Sequence, residues 1–310
     1  MLAAREPPVV SVIVFVLNAA ETLRRALESV TGTDQPPIEL LVLDGGSTDG
    51  TLDIIHSFES KIAYWRSYRD GNPTIALNEG VARATGDIIC LLPADDWIES
   101  GGLHVVRDAF RNDPGLEVLS CGTRFAHFEP DGSLRVDAEF LESRVLEFTV
   151  SNIVRCPLTA GRFILRRLYN EVGAYNPDYR ISNDLDFLLR VLLTRPRSRV
   201  VTHLVYTYRM HSGSRTLGGD PGMIRQMMGF NVRVAEDHLP NPKLSRGERR
   251  ALRGLHGRCS TRLAWMLLAR GELTASAKVL ARAITLNPLL PVMAPIWVLQ
   301  KLLRRGRLFP

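Results

Sequence analysis

Apolar runs of strand length alternate with helical spacing along the first hundred residues. Val9 to Val16 is apolar except for Ser11 and passes directly into Leu17-Asn18. Leu23, Ala26, Leu27 and Val30 then recur as one face of a helix. Ile38 to Leu43 forms a second apolar run, ending in Asp44-Gly45-Gly46-Ser47-Thr48-Asp49-Gly50, and Leu52, Ile55 and Phe58 share a face of the helix that follows. Lys61 to Ser67 reads as a third strand, and Thr74 to Ala84 as a third helix closed by Gly86 just past its end. The last run, Ile88 to Leu92, stops at two adjacent carboxylates, Asp95 and Asp96, followed by Trp97. Continuous apolar strands separated by single helices imply βαβ units with right-handed crossovers and a parallel sheet covered on both faces.

The remainder is less regular. His104 to Phe110 fits a helix, Glu117 to His127 a strand or strand pair, and Phe128 to Ser133 a turn. After about residue 218 the chain turns helical and Arg-rich. Leu273, Ala277, Leu280 and Ile284 lie on one helix face that ends near Asn287-Pro288, and with Leu263 to Ala269 this reads as one helical hairpin. A single unit is not a solenoid. Apolar residues from Leu289 to Gln300, broken by prolines and followed by Lys301, Arg304, Arg305 and Arg307, suit a segment lying at a membrane surface. A tail packed on the domain or a contact between copies is the alternative.

Composition bounds these readings without redirecting them. The 310 residues are 45% hydrophobic and 23% charged, enough for a full core and an ordinary globular protein. The net charge is +6, and Arg supplies nearly all of the positive charge, since only Lys61, Lys243, Lys278 and Lys301 are lysines. Such an excess suits phosphate-bearing substrates or an anionic membrane surface, and a compositional habit of the source genome explains it equally well. The four cysteines, Cys90, Cys121, Cys156 and Cys259, show neither metal-site nor disulfide spacing, which suits a reducing, cytoplasmic compartment. No signal peptide is read at the N-terminus, and no apolar run reaches the roughly 18 residues of a membrane span.

Chemistry enters at the strand ends. Ligands of open α/β sheets collect beyond the carboxyl ends of the strands. Asp95 and Asp96 stand at such an end and offer hard oxygen ligands to Mg²⁺ or Mn²⁺ carrying a diphosphate. An acidic turn capping the next helix is the plain alternative.

The ordered set of motifs resembles glycosyltransferase family 2. It comprises the first strand with Asn18-Ala19-Ala20-Glu21-Thr22-Leu23, then Leu43-Asp44-Gly45-Gly46-Ser47-Thr48-Asp49-Gly50-Thr51, Asn78-Glu79-Gly80, Ala84-Thr85-Gly86-Asp87 and Ala94-Asp95-Asp96. The similarity covers about residues 8 to 215. It implies a GT-A fold: a Rossmann-like, mixed but mostly parallel α/β sheet flanked by helices. On this reading residues 8–217 form the glycosyltransferase domain and 218–310 a helical C-terminal extension. The implied activity is inverting, metal-dependent transfer of a sugar, of the hexosyl or N-acetylhexosaminyl type, from a nucleoside diphosphate sugar to a glycan or lipid-linked acceptor. Assembly of cell-envelope polysaccharide at the cytoplasmic membrane face, with peripheral membrane contact, is the implied setting, and nothing points to nucleic acid as a partner.

The resemblance also assigns residues. Asp96 matches the metal ligand, taking Mn²⁺ or Mg²⁺ as cofactor, and Asp95 matches a residue that orients the ribose or donor sugar. Asp44 matches the acid that contacts the nucleotide base, with a turn acid as its alternative, and Asn18 and Asp70 fall among the donor contacts. Asp49 either joins them or caps the following helix. The segment Tyr179 to Arg190 resembles the helix start that carries the catalytic base, which places the base at Asp184, with Asn183 where Glu is usual and Asp186 in reserve. Tyr206-Thr207-Tyr208-Arg209-Met210-His211-Ser212 resembles a late motif whose Arg and His reach the diphosphate, here Arg209 and His211.

Departures and rivals complete the reading. Ala94 replaces the first Asp of an Asp-x-Asp form, Asn72 stands where Gly is frequent, and Ile75 where a polar residue is frequent, which bears on the donor-sugar contacts. A Rossmann dehydrogenase needs a G-x-G-x-x-G turn after the first strand and a kinase or ATPase a phosphate loop, and the chain has neither. A nucleotidyltransferase usually opens with a Gly- and basic-rich loop, also missing. The remaining rival is a non-catalytic, carbohydrate-binding or scaffold relative. Loss of Asp96, or of every acid near 184, would favour it, and both are present.

Overall fold

The computed structural model describes residues 8–32, 35–157, 159–211 and 220–291. They divide into two compact units: one of the described residues within 8–148, 159–177 and 190–210, the other of those within 149–157, 178–189, 211 and 220–291. The division is not contiguous in sequence, and the boundary expected near residue 217 lies outside the described residues.

The first unit is built on one sheet. Its opening half runs β1 (Val10–Val16), α1 (Leu23–Thr31), β2 (Ile38–Asp44), α2 (Thr51–Ser57), β3 (Tyr64–Ser67), α3 (Pro73–Arg83) and β4 (Ile88–Pro93). The strands lie in the order β3-β2-β1-β4, all parallel. Chain order reverses at β1, so the crevice between β1 and β4 is the topological switch point. Val10, Val12, Ile13 and Val14 are buried, as are Leu40 to Leu43 and Ile88 to Leu92, which explains the unbroken apolar runs.

The later strands are mixed. β5 (Trp97–Ile98), α4 (Gly102–Asn112), β6 (Val118–Phe128), β7 (Leu134–Phe140) and α5 (Ser143–Leu146) come first. After the short α6 (Val150–Ile153) of the second unit follow β8 (Arg162–Leu165), α7 (Arg166–Val172), α8 (Asn183–Leu193), whose residues 183–189 are grouped with the second unit, and β9 (Ser198–Arg209). β8 pairs antiparallel with β4 and β6, β9 parallel with β6 and antiparallel with β5, and β7 hangs on β6. The fold class is as the sequence suggested.

Two glycines of the matching motifs are spacers. A Cβ on Gly80 would stand 2.4 Å from Ile13 Cγ2, so α3 packs on β1 only without a side chain there. Gly86 lies just past the α3 cap Ala84 (φ −58°, ψ 130°), and it is required because a Cβ would lie 2.5 Å from Ser11 Oγ and 2.9 Å from the Val9 carbonyl.

The second unit is helical: α9 (Pro221–His238), α10 (Arg246–Leu268) and α11 (Leu273–Leu286). Asp220 caps α9 from its side chain, and Ser245 with Glu248 forms a reciprocal capping box on α10. The expected hairpin is α10 with α11, and α10 begins seventeen residues before Leu263. The apolar face of α11 named above points outward, and Ser276 and Ala283 are the buried residues of that helix. Residues 292–310, which hold the basic flank, lie outside the described residues.

Candidate active site

The carboxyl ends of β1 to β4 carry Asn18, Asp44, Asp70 and Asp95-Asp96, so four segments that are distant in sequence meet at one edge of the sheet. The β1 and β2 ends are tied together. Asn18 adopts a left-handed conformation (φ 48°), its Oδ1 accepts from Thr48 N at 2.9 Å, and its own N donates to Ser47 Oγ at 2.7 Å. Asp49 accepts from Ala20 N at 3.1 Å and Thr51 N at 3.0 Å, and its carboxyl is held below the usual range first by the Thr51 hydroxyl and then by these backbone bonds. It fastens the start of α2, as the capping alternative supposed.

Asp44 is fully buried. Its carboxylate accepts from Gly46 N at 3.0 Å, Ser47 N at 2.9 Å, Ser47 Oγ at 2.5 Å and Ser67 Oγ at 2.5 Å. Three of these donors reach Oδ2 and one reaches Oδ1, so Asp44 serves as the centre of its own turn. Gly46, at φ 87°, lets that turn pass Arg69, whose N would be 2.9 Å from a Cβ.

Asp70 is likewise engaged, by Arg66. The buried guanidinium gives Nη2 to Asp70 Oδ2 at 3.0 Å, Nε to Glu79 Oε2 at 3.0 Å and Nη1 to the Asp44 carbonyl. Glu79 also accepts from Tyr64 at 2.9 Å, Tyr68 at 2.6 Å and Arg83 at 3.0 Å. Burial raises its carboxyl, but the hydrogen bonds from the two tyrosines and two arginines win and bring it down to about 2. Asn78 clamps the Tyr175 peptide at both ends, at 2.8 and 2.9 Å. Much of what matches the family in α3 is thus architecture. Asn72 caps α3 by accepting from Thr74 N at 3.0 Å, while Ile75 is exposed.

Asp95 and Asp96 differ in environment. Asp96 is buried, accepting from Tyr206 Oη at 2.6 Å and Arg209 N at 2.9 Å. Burial, and then the charge of Asp95, push its carboxyl well above the usual range. Asp95 is half-buried and lines an open cavity of about 200 Å³ with Glu21, Thr22, Arg25, Trp97, Phe128 and Arg209. No cluster of three or more His, Cys, Asp or Glu side chains suited to a metal occurs among the described residues. Two carboxylates nevertheless fit a hard cation that draws its other ligands from water and substrate phosphates. A cation would also relieve the repulsion between two adjacent acids, one of them buried.

The cavity walls went unread in the sequence. Arg25 Cζ lies 3.9 Å from the Trp97 ring centroid and 5.1 Å from that of Phe128, and Arg209 stands 5.6 Å from Phe128 on the same cavity. Glu99 anchors the wall, accepting from Trp97 Nε1 at 3.1 Å and from Thr207. Arg25, Trp97 and Phe128 come from three separate segments with no spacing rule between them. Only the Asp95-Asp96-Trp97 sequence offered a signal.

Asp184 and His211 belong to the other unit. Asp184 stands in the first turn of α8, half-buried, with Oδ1 accepting from Leu185 N at 2.9 Å, and burial pushes its carboxyl up to about 7. Asp186, the reserve candidate, is buried against His238, with Oδ1 2.9 Å from Nε2. That pairing commits it to joining α8 and α9. His211 is half-buried just after β9, and the residues that follow it in the motif lie outside the described ones.

Residues 11–173 match the model of glycosyl transferase family 2. An uncharacterized glycosyltransferase of Mycobacterium tuberculosis is 32% identical over 187 residues, 60% of this chain and 70% of the relative. S. aureus TarS (1-349), solved with UDP-GlcNAc, superposes with a TM-score of 0.62 at 18% identity, over 82% of this chain and 72% of TarS. The mannosyltransferase PcManGT of Pyrobaculum calidifontis, solved with GDP-Man and Mn²⁺, gives 0.58 at 19% identity, over 94% and 81%.

Proposed function

The chain belongs to glycosyl transferase family 2, a glycosyltransferase of GT-A fold, and from that premise we propose an inverting transfer that uses a divalent cation at Asp95-Asp96 and Asp184 as base. The donor is a nucleoside diphosphate sugar, the ligand class of both structural neighbours. The acceptor is a hydroxyl of a glycan or lipid-linked glycan. A sugar-nucleotide donor fits a cytoplasmic setting, as do the free cysteines.

The observation that carries this reading is the pair Asp95-Asp96 at the end of β4, beside the switch point of the sheet. Asp95 faces the cavity, and Asp96 is held in one orientation by Tyr206 and Arg209 N. A cation bound there, Mn²⁺ or Mg²⁺, supplies Lewis-acid stabilisation of the departing diphosphate. Arg209, on the same cavity wall, adds a guanidinium suited to phosphate oxygens, with His211 as a second contact. Asn18 and Asp70 keep the donor-side loops in shape. Asp184 takes the proton of the acceptor hydroxyl as its oxygen attacks the anomeric carbon and the bond to the diphosphate breaks. A carboxyl near 7 suits that task, because a base works best with a pKa near the operating pH.

The test is release of nucleoside diphosphate from a panel of UDP-, GDP- and dTDP-sugars, with and without Mn²⁺, for wild type and Asp95→Asn. Asp95 is the better target, since truncating Asp96 leaves Tyr206 Oη and Arg209 N buried without their acceptor. Metal-dependent turnover of one donor class, reduced at least about 100-fold in Asp95→Asn, is expected from the loss of one stabilising contact in the transition state. Turnover indifferent to both metal and substitution would sink the cation site.

A further inference from the structure

α11 wears its apolar stripe on the outside. Leu273, Ala277, Leu280 and Ile284 follow each other at four-, three- and four-residue spacing and so share one face. The face that α11 buries holds Ser276 and Ala283 instead, and Ser276 Oγ donates to the Ala264 carbonyl of α10 at 2.9 Å. Leu273 is 62% exposed, and Leu280 and Ile284 are exposed as well. Trp265, 70% exposed, and Leu268 stand in the final turns of α10, while Leu289 follows α11. An isolated exposed apolar residue is ordinary, but this many on one helical hairpin marks an interaction surface.

Charge selects the partner. From Pro240 to the last residue the chain carries 14 Lys and Arg but only Glu248 and Glu272 as acids. The whole chain has a net charge of only +6, so this stretch holds its positive charge against an acidic remainder. α11 itself contains Lys278 and Arg282 and no acid. Lys243, Arg246, Arg250, Arg253, Arg262 and Lys278 are all exposed. A helix with an apolar stripe and basic residues on its other faces lies in the plane of a membrane interface, its apolar side chains in the headgroup boundary and its cations on anionic lipid. No described helix is long and apolar enough to cross a bilayer.

We propose that the outer face of α11, with the adjoining end of α10, docks on the surface of an anionic lipid bilayer. A second copy of this chain satisfies the apolar stripe but not the charge, because two such surfaces repel. The proposal does not depend on the reaction.

Co-sedimentation of the full chain with extruded vesicles tests it, comparing phosphatidylglycerol–phosphatidylcholine mixtures with pure phosphatidylcholine. The protein is expected to bind the anionic vesicles and to be released as salt rises from about 50 mM to about 500 mM, where surface charge is screened. A triple variant, Leu273→Ser, Leu280→Ser and Ile284→Ser, should lower the partition at least about tenfold by removing buried apolar area. Lys278→Glu should lower it without touching the stripe. Melting temperature and donor-nucleotide release, measured on the same variants, should match wild type. Equal binding to neutral vesicles, or a triple variant that binds like the parent, overturns the proposal. So does a triple variant that turns a dimer into a monomer while its partition stays unchanged, which assigns the face to a second copy. Failure of donor turnover with vesicle binding intact would strike only the proposed reaction.

Discussion

At the scale of single residues, two carboxylates of one motif set show how burial divides labour. Asp44 accepts four hydrogen bonds, two of them from hydroxyls, whereas Asp184 accepts from backbone N–H groups, and burial raises its carboxyl to about 7. An ordinary Asp titrates near 3.9. A carboxyl raised in the folded state binds its proton more tightly there than in the unfolded chain. Its favourable contribution is therefore complete below about pH 4 and is lost as pH rises through about 7. Asp184→Asn is expected to lower turnover by about 100- to 10,000-fold, the range of a lost general base. The same variant should melt higher than wild type at pH 8 and equal to it near pH 3.5. Turnover by wild type should rise with pH through about 7. A variant that loses activity and also melts lower at pH 8 would make Asp184 a structural residue. The sequence made Asp184 visible because the acid opens an apolar helix. It could not reveal that Asp186, two residues on, is committed to His238, since that partner lies 52 positions away.

Among elements, the parallel half of the sheet was legible, as were α4 and β6 of the mixed half, whereas β7 and β8 were not. β1, β2 and β4 are buried on both faces, so their apolar runs announce them. β8 has four residues, and β7 has no buried residue and no strict alternation, so neither rises above its surroundings in the sequence. The site suffered likewise: strand-end acids were readable, whereas the Arg25–Trp97–Phe128 wall exists only after α1, β5 and β6 meet. α3 supplies the prediction at this scale. Glu79 joins α3 to β3 through Arg66 and Tyr64, and its carboxyl near 2 lies below the unfolded value of about 4.3. Its stabilising contribution is present above about pH 4.3 and is lost as pH falls toward 2. Glu79→Gln leaves Arg66 with Asp70 as its remaining carboxylate and removes a charge-assisted hydrogen-bond acceptor. That should cost about 1.5 kcal/mol at pH 7, the lower end for a hydrogen bond to a charged group. Urea denaturation at pH 7 and pH 3 checks it, with a smaller difference expected at the lower pH. An unchanged midpoint at pH 7 would mean that the Glu79 charge adds no stability to the contact of α3 with β3.

For the whole molecule, the division of labour follows the division into units. Asn18, Asp44, Asp70, Asp95, Asp96 and Arg209 all belong to the sheet unit, whereas Asp184 and His211 belong to the helical one. The segments 149–158 and 178–189 join the helical unit although both precede β9. A boundary read from composition near residue 217 has no access to such long-range grouping. Two units with separate cores need not unfold as one. A ligand that binds only the folded state stabilises what it touches, by about 2.7 kcal/mol at a hundredfold excess over Kd. Donor with Mn²⁺ is therefore expected to raise the calorimetric transition of the sheet unit by several degrees and that of the helical unit less, through His211 alone. Asp95→Asn should abolish that shift, whereas Asp184→Asn should preserve it, because the donor residues do not include Asp184. Loss of the donor shift in Asp184→Asn would mean that donor binding itself requires the helical unit, and that the sheet alone does not make the donor site.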